Sequence, residues 1–345
     1  MANRCFSFHA VLPSLLFAFQ VCGGAENSSS NITATSTRTL DFRSLPSDAF
    51  THLRTKWSGD LFILIDDDAA APSFYMFDRS GQVKFDAVIQ ISGANRVRVD
   101  DFAAAPDGSV WTCGHAESPA GQRSFFLAHL TDDAQRVQII RTNPYRPWYL
   151  AVAPDGTVWT MGYALGTDGR VDLTLDSLRH FDTSGKLIAS AIPAQSVGIL
   201  SVELGYLEFY RGRLGWYSPS SGSRADRSVP DGAYVEISPT NMTVLHSYPA
   251  VPRKWNDYAI GFALTPGGRV FVKMQHPSGG AHPSDLYELD RSGSRWVLSD
   301  GLRNQQGYIL RLQGNDGESL VFGDLFDKSK LPLQILDASQ FVRHQ

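Results

Sequence analysis

Two stretches of this chain read almost alike: Asp101-Phe102-Ala103-Ala104-Ala105-Pro106-Asp107-Gly108-Ser109-Val110-Trp111-Thr112 and Tyr149-Leu150-Ala151-Val152-Ala153-Pro154-Asp155-Gly156-Thr157-Val158-Trp159-Thr160. An internal repeat constrains a fold strongly, because each copy is one supersecondary unit that must stack on its neighbours to bury its faces. In both copies an alternating apolar run ends at Pro-Asp-Gly, a turn. A β-branched residue and an aromatic then open the next run. Weaker copies centre on Trp57-Ser58-Gly59-Asp60, Arg211-Gly212-Arg213, Pro266-Gly267-Gly268 and Asn315-Asp316-Gly317. Successive glycines lie 48 to 56 residues apart, which makes six units.

A second marker keeps step with the first. It is a strand, an Asp-x-x-Gly turn and another strand, clearest at Phe77-Asp78-Arg79-Ser80-Gly81, Phe181-Asp182-Thr183-Ser184-Gly185 and Leu289-Asp290-Arg291-Ser292-Gly293. Each unit therefore holds four strands; in unit two these are expected at Asp101–Ala105, Val110–Gly114, Ser124–Leu130 and Arg136–Arg141. Four short strands repeated six times predict an all-β, six-bladed β-propeller with four antiparallel strands per blade. No sustained helical period is present, which excludes α/β barrels and doubly wound sheets. Trp111 and Trp159, with Phe62 and Phe271 read in register, are expected to pack between blades.

The Ala-Pro-Asp-Gly-Ser/Thr-Val-Trp units resemble the six-bladed propellers of the NHL, SMP-30/gluconolactonase and streptogramin-lyase type. The resemblance covers nearly all the chain after its N-terminal segment. It implies an architecture rather than an activity, because this fold hosts hydrolases, lyases, sensors and binding modules. SMP-30-like members hold a cation in the central channel, so the resemblance implies Ca²⁺ or another divalent cation as the candidate cofactor.

Ahead of the repeats, Arg4 precedes a mostly apolar run from Phe6 to Val21, then Cys22-Gly23-Gly24-Ala25. This pattern reads as a secretory signal peptide over residues 1–25, cut before Glu26. A polar linker over 26–40 and a propeller domain over 41–345 are expected to follow. The run is too short and interrupted for a membrane span. Cys22 is a candidate lipid-anchor site, and Asn27, Asn31 and Asn241 head glycosylation sequons. Export to the periplasm, the cell surface or the medium is the expectation. Lys and Arg number 31 against 35 Asp and Glu, a balance that argues against nucleic acid as a partner. A monomer is expected.

The strand order separates two faces. The turns between first and second strands, and between third and fourth, are tight and lie at one end of the disc. The remaining connections are long and irregular and lie at the other, where function is usually carried. The expected lining there is Arg96, Arg146, Trp148, Arg253, Trp255 and Asn256, with Arg98 and Asp100 close by. Arginine suits an anionic or sugar-like ligand and tryptophan an apolar face, so a small molecule, a glycan or a protein is the expected partner. The competing expectation is that these arginines pair with carboxylates of adjacent blades. A metal-dependent hydrolase or lyase at the channel mouth is the alternative function, with Asp101, Asn256 and Asp257 as metal ligands and His115 and Glu117 as acid–base candidates.

Overall fold

One local device recurs in the tight turns. In five of them, an aspartate carboxylate folds back onto the Ser or Thr two residues ahead. Asp107 accepts from Ser109 N at 2.9 Å and Oγ at 2.6 Å. Asp155 does the same to Thr157, and Asp78, Asp182 and Asp290 to Ser80, Ser184 and Ser292. These are Asx turns, and they hold the carboxyls of Asp78, Asp107, Asp155 and Asp182 below the usual aspartate range, chiefly through the serine or threonine hydroxyl. Both sequence markers are thus turn chemistry, repeated because every blade needs the same two hairpins.

The computed structural model describes residues 36–41, 53–58, 61–66, 68–78, 80–133, 136–196, 205–219, 232–252, 257–276, 284–299, 310–324 and 330–341. They form six antiparallel sheets arranged as the blades of a propeller. The innermost strands are Leu53–Ser58, Arg96–Ala104, Tyr145–Val152, Tyr206–Tyr210, Tyr258–Leu264 and Leu310–Asp316. Each packs beside the next, and the sixth packs beside the first, so the ring follows chain order. Two blades carry an extra two-residue strand, Asp68–Ala69 inside blade two and Val171–Asp172 in blade three. Among the described residues no helix is long and apolar enough to cross a membrane.

The ring closes by sharing a blade between the two ends of the chain. Blade six takes three strands from the C-terminal end, the third being Lys330–Asp337. Its outer strand is Ser36–Asp41, antiparallel, with Ser36 opposite Ile335 and Asp41 opposite Lys330. The strand-like segment 38–45 is expected from the sequence to latch beside a short last strand at 341–345. The latch is present but pairs further upstream: the chain turns after Asp337, and Phe341 is buried against Phe271 and Phe322. Residues 342–345 lie outside the described residues, as do 1–35, with the signal-peptide reading and Cys22.

The core is a series of interfaces between consecutive blades. Phe74 and Met76 of blade one meet Val99 and Phe102 of blade two. Trp111 of blade two meets Leu150, Val158 and Phe181 of blade three, and Trp159 meets Leu207 and Leu214 of blade four. Tyr217 and Tyr234 meet Phe262, and Phe271 meets Leu312 and Phe322. The two tryptophans are therefore packing residues, 1% and 2% exposed. Each also stacks on a histidine of its own third strand, His129 at 4.3 Å and His180 at 3.9 Å between ring centroids. Phe271 shares their register, but Phe62 does not. Phe62 lies opposite Phe77 as Val158 lies opposite Phe181, so Ile63 occupies the tryptophan column in blade one.

In blades four and five the third-strand column of those histidines holds buried, salt-bridged glutamates instead. Glu236, fully buried, accepts from Arg291 Nη2 at 2.7 Å, Arg213 Nη1 at 3.0 Å and Tyr210 OH at 2.8 Å. Glu288, also fully buried, takes Arg269 through two bonds of 2.6 and 2.8 Å. Arg269 in turn donates to the carbonyls of Ala338 and Phe341, which ties blade five to the end of blade six. A truncation that removes residues 26–41 is expected to lower the melting temperature by about 5 °C or more, since a strand's worth of pairing and burial is lost. Differential scanning calorimetry against the chain starting at Glu26 checks this.

Candidate functional site

Apart from Val97 and Arg98, which pair with Asp68–Ala69, the innermost strands have no further strand among the described residues on their channel side, so their backbone groups need other partners. Side chains from neighbouring blades supply them. Ser58 Oγ accepts from Ala104 N at 3.0 Å, and Arg54 Nη1 donates to the carbonyl of Asp100 at 2.6 Å. Asp101 accepts from Phe102 N at 2.8 Å and from Leu150 N of the next blade at 2.9 Å. The Asp101 side chain is thus part of the channel wall rather than an open ligand.

Lys56 sits beside it. Its Nζ lies 3.5 Å from Asp101 Oδ1 and 3.3 Å from Glu208 Oε1. Lys56 belongs to blade one and Glu208 to blade four, which stand opposite each other in a ring of six, so this pair spans the channel. Burial works against the Lys56 charge, but the two carboxylates outweigh it and hold its pKa above the usual lysine range. Burial raises the Glu208 carboxyl, and Lys56 opposes that rise.

At the loop end, a bulge recurs in four inner strands: pairing with the second strand slips at Asp100, Trp148, Ile260 and Gln313. A bulged residue leaves the ladder and its side chain is re-aimed. Opposite the first two bulges, the backbones approach so closely that only glycine fits. A Cβ on Gly114 would lie 2.0 Å from Arg98 O, and one on Gly162 2.1 Å from Arg146 O.

The bulge delivers Asp100 into a buried cluster between blades two and three. Its carboxylate, with a side chain 0% exposed, accepts from Arg146 Nη2 at 3.1 Å. Arg146 Nη2 is also 3.0 Å from His115 Nδ1, and Arg146 Nη1 is 3.4 Å from Tyr163 OH. His115 Nδ1 also lies 3.4 Å from Asp100 Oδ2, so it accepts from Arg146 in one tautomer and donates to Asp100 in the other. The guanidinium lies 3.6 Å above the Trp148 ring. Arg98 Nε lies 3.6 Å from Asp100 Oδ1, beyond hydrogen-bond reach. Three buried N–H groups, Arg98 Nε, Arg146 Nε and Trp148 Nε1, have no acceptor among the described residues.

A second cluster occupies the same end of blade five. His276 Nδ1 lies 3.0 Å from Asp257 Oδ2, and its Nε2 lies 3.3 Å from Asp285 Oδ2. Beneath it, Lys273 is 0% exposed and donates to the Ser284 carbonyl at 3.3 Å. Burial pushes its pKa down to about 8, against the pull of Asp285.

Of the residues the sequence singled out, the structure gathers Arg146, Trp148 and His115 into one cluster with Asp100. Arg146 is committed to the adjacent-blade carboxylate, as the competing expectation had it, and it covers one Trp148 face. The connections read as loops over 93–100 and 142–148 are largely strand, because the inner strands begin at Arg96 and Tyr145. Arg96 is exposed at the start of its strand, opposite Glu117, which lies 3.7 Å from Arg123 Nε. Arg253, Trp255 and Asn256 lie outside the described residues. Asp101 and Asp257 belong to blades two and five, which face each other across the ring, and each is engaged by protein partners. Among the described residues no three His, Cys, Asp or Glu are grouped to hold a metal ion.

No protein-family model matches the chain, and no curated protein matches it. Solved structures do. YjhT is 10% identical with a TM-score of 0.52, over 85% of this chain and 97% of its own. U3-55K is 9% identical with a TM-score of 0.52, over 88% and 100%. The Kuenenia stuttgartiensis hydrazine synthase is 14% identical with a TM-score of 0.50, over 78% and 72%. At such identities the likeness is one of fold.

Two outcomes are expected from the buried charges. Asp100→Asn strands the Arg146 cation between blades and is expected to cost about 3–5 kcal/mol in urea unfolding. Lys273→Met is expected to raise the melting temperature at pH 7. The unfolded lysine, near 10.5, holds its proton more tightly than the folded one near 8, so the lysine's penalty is full below pH 8 and gone above 10.5. The gain should therefore vanish as the pH is raised across that window.

Proposed function

We propose that this propeller is an exported binding module whose loop face, between blades two and three, takes a small anionic or carbonyl-bearing ligand, free or as part of a glycan or protein. The observation that carries the reading is the excess of donors there. Arg98 Nε, Arg146 Nε and Trp148 Nε1 are buried without acceptors among the described residues. An unmet buried donor costs about 1–3 kcal/mol, and a ligand oxygen recovers it. Burial of Arg146 by Trp148 and Phe125 pre-orients the guanidinium, so little is lost in ordering it.

Binding is favoured over acid–base catalysis because neither loop-face histidine has the form of a free base. His115 Nδ1 is held between Arg146 and Asp100, and both ring nitrogens of His276 face carboxylates. Export rests on the apolar segment and small residues ahead of Glu26. The likeness to NHL and gluconolactonase-type propellers is compatible with a site at this face and does not choose a ligand.

Titration calorimetry with citrate and inorganic phosphate tests the reading. Wild type should bind at least one of them, and Trp148→Phe, which keeps a ring under Arg146 but removes the indole N–H, should weaken it about tenfold. Absence of any anion binding, or an unchanged affinity in Trp148→Phe, overturns it.

A further inference from the structure

On the opposite face the six inner strands end around a second, separate space, a cavity of about 480 Å³ within the range of small-molecule sites. All six blades contribute to it. The Lys56–Glu208 pair crosses the channel at its inner end, with Glu208 on the cavity wall. This is the tight-turn face, where the sequence pattern promised only scaffold.

Its walls differ in kind. Blades two and three present Ala104, Ala105, Ala151 and Ala153, the small residues of the repeat's Ala-Ala-Ala-Pro and Ala-Val-Ala-Pro stretches. Blades four and six present Glu208, Arg211 and Asn315. Blade one contributes Trp57, which is 3% exposed and whose buried Nε1 has no acceptor among the described residues. Glu208 uses Oε1 on Lys56, and its other oxygen has no protein partner among the described residues. Asn315 spends its Nδ2 on Gly317 O at 3.1 Å, which leaves its Oδ1 to accept.

The cavity therefore pairs an unmet indole donor and an exposed guanidinium with unmet carboxylate and amide acceptors. An anion would meet Glu208 and a cation would meet Arg211. A hydroxyl group both donates and accepts, and so serves each of these partners without charge. An aliphatic ring bearing hydroxyls also has an apolar side for the alanine wall. We propose that this cavity is a second ligand site, specific for a neutral polyhydroxylated molecule of mono- or disaccharide size, and independent of the anion site on the loop face.

Saturation-transfer NMR with D-glucose, D-galactose, sucrose and maltose, and with choline as a cationic probe, tests it. Wild type should transfer saturation to the ring protons of at least one saccharide. Ala104→Leu, which fills the cavity from blade two and leaves the loop face untouched, should abolish that transfer. Asn315→Ala, a rim change that leaves the core alone, should weaken it several-fold and keeps the test open should Ala104→Leu fail to fold. No transfer to any saccharide, transfer to choline alone, or full transfer in the folded variants overturns the proposal. Citrate and phosphate titrations on the same variants keep this failure distinct from failure of the loop-face reading.

Discussion

Six inner strands whose channel edges are unpaired among the described residues, save where Asp68–Ala69 meets Val97 and Arg98, are the constraint on which the rest of this molecule turns. A sheet edge facing a narrow, enclosed channel cannot rely on bulk water, so side chains must satisfy it. Ser58, Arg54 and Asp101 do so by bonding to the backbone of the neighbouring blade. Each such bond also fixes the angle between two blades. Polar residues at the channel are thus part of the frame, and the Lys56–Glu208 pair extends that frame across the full diameter.

Frame and site are made from the same strands. The bulges that bend the inner strands also turn Asp100 and Trp148 out of the ladder, and Gly114 and Gly162 make the required close approach affordable. The loop-face cluster is therefore placed by strand geometry and does not depend on loop conformation. A constellation on strands is held more rigidly than one on loops.

The repeat made the fold legible because turn chemistry is local: an Asp with Ser or Thr two residues on, and a glycine between or just after them, builds a tight hairpin turn at each place it recurs. The latch was legible in outline, from the leftover strand-like segment before blade one, but its partner was not, since pairing between chain ends is a long-range event. Arg146 and Trp148 were readable as residues of the loop end, but not as stacked on each other, because the bulge that brings them together leaves no motif beyond Gly114 and Gly162. Lys56 and Glu208 carried a signal that went unread. They fill the same repeat column as Ala103, Ala151 and Ala263, so a lysine in unit one and a glutamate in unit four are opposite charges in an otherwise small, apolar column. In a ring of six, units one and four face each other.

The shared sixth blade gives the chain a history. Ser36–Asp41 is among the first propeller segments made and pairs with Lys330–Asp337, among the last. At ordinary synthesis rates of about 5–20 residues per second, the early strand has no partner for on the order of 15–60 s. Blades one to five can assemble side by side as they appear, but each intermediate is an open arc with an apolar blade face at either end. The ring becomes a single cooperative object only when Lys330–Asp337 is available to pair with Ser36–Asp41, so that pairing marks completion of the ring.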